Sequence, residues 1–245
     1  MNKEQFYIIG GKHAVIECLK NTQRYIKTIY VNCQKNLEVV KKINNRNVKI
    51  ELKLGDTFNK LFTDKEFVHQ GFAVLTNLLV NKNLETYIQS EISVKKNSIF
   101  IILDGIEDDR NIGSIIRSSS AFGVDGIIMN KREYRNKSIY LHKTASGATE
   151  HISIFAVSNV VNALEILKKN NFWIYAMDGK AKNSIFAEKF TANTAFIFGS
   201  ESKGMRNILL NKSDKTLVIP MQNKMDSLNV ANAVTAALAI YKVKE

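Results

Sequence analysis

The sequence predicts two α/β domains in series, the second built on a mainly parallel sheet. Three observations lead there. A chain of 245 residues, 45% hydrophobic and 24% charged, has ordinary globular proportions and room for one large domain or two small ones. From Ile99 to the end, strand-like and helix-like stretches alternate, as they do in a domain built on a parallel sheet. Between them, residues 77–97 lose their periodicity and turn polar, ending in Lys95-Lys96-Asn97-Ser98, which places a linker there. The predicted parts are a domain at 1–76, a linker at 77–97 and a domain at 98–245.

In the first part, Gly10 to Leu19 carries apolar positions at helical spacing after two glycines, and Thr28 to Val31 is rich in β-formers. Leu37 to Ile43 reads as a helix, Val48 to Leu52 as a strand, Phe58 to Phe62 as a short helix and Gly71 to Leu75 as a closing strand. The second part opens on Ile99-Phe100-Ile101-Ile102-Leu103, an unbroken apolar run of the kind buried on both faces of a parallel sheet. Further strands are expected at Gly126–Met129, Ile152–Val157, Phe172–Met177, Ala195–Gly199 and Thr216–Pro220. Helices are expected at Ile112–Phe122, Asn159–Lys169 and Leu228–Val243.

Charge and composition narrow the function. The 35 Lys and Arg against 23 Asp and Glu give a net charge of +12, spread over both parts, as in a protein that binds a polyanion. Lysines outnumber arginines 28 to 7 and proline occurs once, a pattern to which coding bias also contributes. No unbroken apolar run exceeds six residues, far below the roughly 18–20 of a membrane span. Met1 to Gln5 carries an acid early and leads to no cleavage pattern, so no secretory leader is expected and the chain is predicted to be cytoplasmic or organellar. Cys18 and Cys33 form no C-x-x-C pair, and His13, His69, His142 and His151 lack the i, i+4 spacing of a helical zinc site. No metal is expected.

Three clusters could carry chemistry. Asp104 to Gly113 follows the first strand of the second part, with Asn111 placed to cap the next helix and Arg117 six residues on. The plain reading is a cap and a solvated arginine. The apolar and small neighbours of Arg117, Ile115 to Ser120, predict instead a packed face and an arginine with an anionic partner or a function. Gly199-Ser200-Glu201-Ser202-Lys203-Gly204 follows a predicted strand, but Glu201 stands where a dinucleotide fingerprint needs glycine, so a pyrophosphate is disfavoured. A plain tight turn and a ligand loop both stay open at this point. Ile219-Pro220-Met221 closes a strand, and Asp226-Ser227-Leu228-Asn229 leads into an alanine-rich last helix that something, a neighbouring subunit for one, can approach closely. Lys131 to Lys137 is the densest basic patch, a solvated loop or a phosphate contact.

Together, Asn111-Ile112-Gly113-x-x-x-Arg117, Phe198 to Gly204, and Ile219-Pro220-Met221 with Ser227-Leu228-Asn229-Val230 resemble the three ordered motifs of the SPOUT-class RNA ribose 2′-O-methyltransferases. Ser146-Gly147-Ala148-x-Glu150 resembles an intermediate segment of that family. Residues 1–76, through Gly11-x-His13-Ala14-Val15 and His69-Gln70-Gly71, resemble the ribosomal-protein-like RNA-binding domain of the large-subunit rRNA guanosine 2′-O-methyltransferases. The resemblance implies a C-terminal α/β domain with a trefoil knot, S-adenosylmethionine in the knotted loops, and a homodimer with the site near the subunit interface. Residue by residue, Gly199, Ile219, Met221 and Leu228 match cofactor positions, while Asn111, Arg117, Glu201, Ser227 and Asn229 match positions of catalysis or its support. Two departures stand out. Asp108-Asp109 replaces the family's Asp-Pro, which removes a rigid residue from that loop, and Asn232 replaces a small or apolar residue.

Methyl transfer from a sulfonium to a ribose hydroxyl needs oxygen, carbon and sulfur in line, so positioning is a large part of the task. Arg117 would stabilise the developing alkoxide or accept its proton, the second being harder for a guanidinium protonated above pH 12. Asn111, Ser227 and Asn229 would orient the reacting groups, and Glu201 would hold the glycine loop. The expected substrate is a guanosine of large-subunit rRNA, free or in an assembly particle. The alternatives are a tRNA ribose methyltransferase or an rRNA adenosine methyltransferase of the same superfamily, and, in another class, a silent RNA-binding or ribosome-assembly protein.

Overall fold

The computed structural model describes residues 6–95, 97–190, 193–222 and 227–244; Met1 to Gln5, read above for a leader, Lys96 of the predicted linker and Asp226 lie outside them. The chain forms two compact units, one running to Val80 and adding Asn136–His151, the other combining Asn81–Arg135 with Ile152 onward. In chain order the elements are β1 (Phe6–Gly10), α1 (Lys12–Lys20), β2 (Ile26–Val31), α2 (Gln34–Ile43), β3 (Ile50–Leu52), α3 (Asp56–Asn59), β4 (Phe72–Asn77) and α4 (Leu84–Tyr87). There follow β5 (Ile99–Asp104), α5 (Asp109–Ala121), β6 (Gly126–Asn130), α6 (Ile139–Ala145), β7 (Ser153–Val157), α7 (Val160–Lys169) and β8 (Phe172–Met177). The last are β9 (Asn183–Ser184), β10 (Asn193–Gly199), α8 (Asn207–Lys212), β11 (Lys215–Val218) and α9 (Val230–Lys244).

The first unit holds a four-stranded sheet in the order β1-β4-β2-β3, with β4 antiparallel to both neighbours and β2 parallel to β3. Val15 and Cys18 of α1 and Val40 of α2 pack with Ile29, Val31 and Val74 in its core. Burial pushes the Cys18 thiol up to about 12, so it serves as a small apolar residue. Gly71 takes φ 78°, and a Cβ there would lie 2.0 Å from Asn32 Oδ1, so a side chain would strain the turn and displace the Asn32 amide.

The first unit also takes in Glu150 from the Asn136–His151 stretch. Its carboxylate accepts hydrogen bonds from Arg24 Nη2 (2.7 Å), Arg24 Nε (2.9 Å) and Asn21 Nδ2 (2.8 Å), while Arg24 Nη1 donates to Tyr7 Oη (2.9 Å) and Asn77 O (2.7 Å). Both charged side chains are at most 2% exposed. Burial acts to raise the Glu150 carboxyl, but its bonds and proximity to Arg24 outweigh it and hold the group below its usual range. Because a buried charge is tolerated only when paired, this pair binds the Asn136–His151 stretch to the first unit. His142 on α6 is buried beside it; Nε2–H donates to Asn136 O (2.9 Å), which assigns the tautomer and leaves Nδ1 facing Thr149 Oγ1 (3.3 Å).

The segment predicted as a linker has structure of its own. Leu84 of α4 and Ile88 and Ile92 of the π-helical turn that follows (Ile88–Ile92) are buried in the core of the second unit with Phe100, Phe155 and Leu164. Spaced four apart among polar residues, the three form one helical stripe.

The second unit carries a seven-stranded, all-parallel sheet in the order β7-β6-β5-β10-β8-β11-β9. All six residues of β5 are buried, as expected for a central parallel strand. From β5 the chain steps outward to β6 and β7, then returns on the other side through β8 and β10. Strand order therefore reverses between β5 and β10, the point where open α/β sheets bind ligands beyond their carboxyl ends. The strand expected to reach Pro220 stops at Val218, which frees Ile219 and Pro220 as loop. On α9, Thr235 Oγ1 donates to Ser118 Oγ of α5 (2.8 Å). Among the described residues no helix is long and apolar enough to cross a membrane.

Candidate active site

The carboxyl ends of β5, β10 and β8 hold three loops. After Gly199 the chain folds back on itself: Gly204 N–H donates to Ser200 O (2.8 Å) and Lys203 N–H to Ser200 Oγ (3.2 Å). A Cβ on Gly199 would stand 2.5 Å from Gly204 C and Met205 N, so the fold-back requires glycine. The loop's exit is clamped by Asp104, which lies across from Gly199 in register and is 3% exposed. Asp104 accepts from the Arg206 backbone N–H (3.0 Å), Arg206 Nε (2.7 Å) and Arg206 Nη2 (2.6 Å). Neither residue stands out in the sequence, where the aspartate reads as the end of an apolar run.

From the crest of this loop Glu201 reaches the start of α9. Its Oε1 accepts from Val230 N–H (2.8 Å) and Asn229 Nδ2 (2.8 Å). Asn229 Oδ1 accepts from Ala231 N–H (3.0 Å), which orients the amide and turns both Nδ2 hydrogens outward. The second meets Asn111 Oδ1 (3.0 Å). That bond in turn orients Asn111 so that its own amide N–H₂ has no partner among the described residues. Three predicted residues far apart in sequence, in the first turn of α5, on the glycine loop and just before α9, thus form one chain of hydrogen bonds that ends in a free donor.

Asn111 is not the helix cap that the sequence predicts. Asp108 caps α5, accepting from Arg110 N–H (2.6 Å) and Asn111 N–H (3.2 Å), and Asp109 takes the first helical position where the family has proline. A carboxylate cap with an acidic first turn supplies the order that the missing proline would have given. Arg117 corrects the packed-face reading: it is exposed, and no described residue pairs with it. The basic patch divides. Lys131, Arg132 and Arg135 are exposed in the second unit, while Glu133 turns inward onto Gly105 N–H, its carboxyl raised by burial and then by Asp104.

A cavity of about 900 Å³ lies against the glycine loop. Gly199, Ile219, Met221 and Leu228, the four predicted cofactor positions, all line it, as do Glu201 and Ser227; Asn111, Asn229 and Arg117 do not. Cofactor sites commonly occupy about 300–1,000 Å³. The site is a cleft of mixed polar and apolar lining beside a backbone-rich glycine turn, edged by amide and carboxylate groups.

A parallel sheet with such a cleft at the carboxyl ends of β8, β10 and β11 defines an α/β protein with a site for a small molecule. Comparison with known proteins specifies which. Residues 98–240 match the SpoU rRNA methylase family and residues 8–79 match the RNA 2′-O ribose methyltransferase substrate-binding domain. The chain belongs to the SpoU rRNA methylase family. It is 30% identical to the putative TrmH family tRNA/rRNA methyltransferase YacO of Bacillus subtilis, over 99% of this chain and 96% of that one. It is also 30% identical to an uncharacterized tRNA/rRNA methyltransferase of Borreliella burgdorferi, over 86% and 93%. The fold matches the SpoU methyltransferase AviRb of Streptomyces viridochromogenes, solved in complex with AdoMet, with a TM-score of 0.80 at 19% identity over 97% of this chain and 90% of that one. An AdoMet-bound rRNA methyltransferase of Sinorhizobium meliloti superposes equally well, at 0.80 and 19% over 97% and 87%.

Proposed function

We propose that the protein transfers the methyl group of S-adenosylmethionine to the ribose 2′-hydroxyl of a guanosine in large-subunit rRNA. The observation that carries this reading is the Asn111–Asn229–Glu201 chain, which reaches a cavity of cofactor size through Glu201. The cavity fits the group: its glycine turn offers main-chain polar groups at close range, and Ile219, Met221 and Leu228 offer apolar contact. When bound, S-adenosylmethionine supplies an electrophilic methyl on a sulfonium. Glu201 fixes the glycine loop to α9, and Asn229 transmits that position to Asn111. Asn111 then presents its free amide donor, a group suited to orienting a ribose oxygen. Ser227 offers a hydroxyl within the cleft. Arg117, exposed and unpaired, stabilises the alkoxide that develops as the hydroxyl attacks, a role that keeps the guanidinium protonated. Within one chain Arg117 stands apart from the hydrogen-bonded cluster, so the proposal takes the enzyme as a homodimer with the knotted chain end and interface site of the resemblance.

The substrate-binding match over residues 8–79 supports an RNA substrate, and His69-Gln70-Gly71 supports rRNA guanosine over tRNA or an rRNA adenosine. The exposed Lys131, Arg132 and Arg135 support phosphate contact. The test is methyl transfer from labelled S-adenosylmethionine to RNA, with mapping of the product. A new 2′-O-methylguanosine in large-subunit rRNA is expected; a product in tRNA, or on adenosine, replaces the substrate while keeping the chemistry. Cofactor binding without transfer to any RNA or assembly particle favours the silent binding protein.

A further inference from the structure

Asp178 stands at the carboxyl end of β8, just after Met177, which lies in register with Phe198 of β10 and Leu217 of β11. Its main chain is held at both ends: its N–H donates to Leu217 O (2.9 Å) and its carbonyl accepts from Ala181 N–H (3.1 Å). Its Oδ1 accepts from Lys180 N–H (2.9 Å), which fixes the side chain as well. The second carboxylate oxygen has no partner among the described residues, and the residue lines the cavity. Among the described residues lining that cavity two are carboxylates, Asp178 and Glu201. Glu201 is joined to Asn229 and through it to Asn111, which follows β5. The strand order β5-β10-β8 places Asp178 on the opposite side of β10. A cofactor whose reacting methyl lies toward Asn111 has its other two arms, nucleoside and amino acid, left to reach the side of Asp178. A vicinal diol presents two O–H donors, and a pre-oriented carboxylate at a strand end beside a glycine turn is a fitting acceptor for them.

We propose that Asp178 binds the ribose diol of the adenosyl group and so selects a ribonucleoside cofactor, as a residue of recognition rather than of methyl transfer. The inference rests on the S-adenosylmethionine reading above. It is tested by calorimetric dissociation constants of S-adenosylhomocysteine, its 2′,3′-dideoxy analogue and 5′-methylthioadenosine, measured on the full chain and on Asp178→Ala and Asp178→Asn. The wild type should bind the diol roughly tenfold or more tighter than the dideoxy analogue, the factor expected for hydrogen bonds to a charged group. Asp178→Ala should lose that preference, binding both at the weaker level and weakening methylthioadenosine by the same factor. Asp178→Asn, which keeps an acceptor for Lys180 N–H, should also lose most of the preference, showing that turn geometry is not the cause. A variant that keeps the full preference for the diol overturns the assignment. So does a loss confined to ligands with the amino-acid tail, which would place the tail's ammonium at Asp178. A wild type that binds none of the three ligands overturns the cofactor reading itself, and this assignment with it.

Discussion

His142 makes the first unit acid-sensitive in a calculable way. The imidazole is 2% exposed, and burial lowers it to about 4 from an ordinary 6.5, with Arg24 adding to the fall and Asn136 O and Glu150 opposing it. Because the folded value lies below the unfolded one, the unfolded chain takes the proton first. Stability is fully present above about pH 6.5 and is lost as the pH falls toward 4. Linkage between those two values gives a loss of about 2 kcal/mol from pH 7 to pH 5 and about 3 kcal/mol by pH 4. That is a large share of a stability of about 5–15 kcal/mol. Glu150, held below its usual range, adds its own loss only at lower pH, so between pH 7 and 5 the loss comes from histidine rather than from this carboxylate. His69, lowered by burial and then by Lys143, acts in the same direction and serves as background. Urea unfolding at pH 7 and pH 5, read by hydrogen exchange of first-unit amides, should show the loss in the wild type and mostly not in His142→Gln. An unchanged wild-type midpoint, or an equal loss in the variant, refutes the reasoning.

Glu150→Ala should destabilise the first unit by about 3–5 kcal/mol, because it leaves Arg24 buried and unpaired; chemical denaturation measures it, and a loss under about 1 kcal/mol would contradict the pair's role. Gly199→Ala should lose S-adenosylhomocysteine binding while the protein stays folded, since the added carbon meets the backbone of Gly204 and Met205; wild-type affinity in calorimetry would count against the closed loop. Arg117→Ala should abolish turnover and spare cofactor affinity, and unchanged turnover would remove Arg117 from the mechanism. Replacing Lys131, Arg132 and Arg135 together with alanine should weaken RNA binding and flatten the slope of log affinity against log salt by roughly 0.7–0.9 for each phosphate no longer neutralised; an unchanged slope would leave the patch a solvated loop.

Most of the second unit is legible in the sequence because parallel strands buried on both faces read as apolar runs: Ile99 to Leu103 and Phe172 to Met177 match the observed strands to within a residue. What escapes is packing carried by few residues. Leu84, Ile88 and Ile92 are hidden among polar neighbours, and α6 is hidden because the polar group that holds its segment, Glu150, finds its partner 126 residues away in Arg24. At the site, motif order locates Asn111, Glu201 and Asn229, but the bonds joining them depend on strand order, which spacing alone does not encode. Arg117 shows the opposite failure. Its apolar neighbours Ile115 and Ile116 face the core, yet the helix turns the arginine itself to solvent. Asp104 and Asp178 end apolar strands, where a single acid resembles ordinary strand termination.

The most direct test of the proposed activity is incubation of the protein with labelled S-adenosylmethionine and deproteinised large-subunit rRNA from cells that lack the enzyme, followed by mapping of the modified ribose. A single new 2′-O-methylguanosine, absent when Asn111 or Asn229 is replaced by alanine, is the predicted result. Measurable cofactor binding with no methyl transferred to rRNA, tRNA or an assembly particle would contradict it.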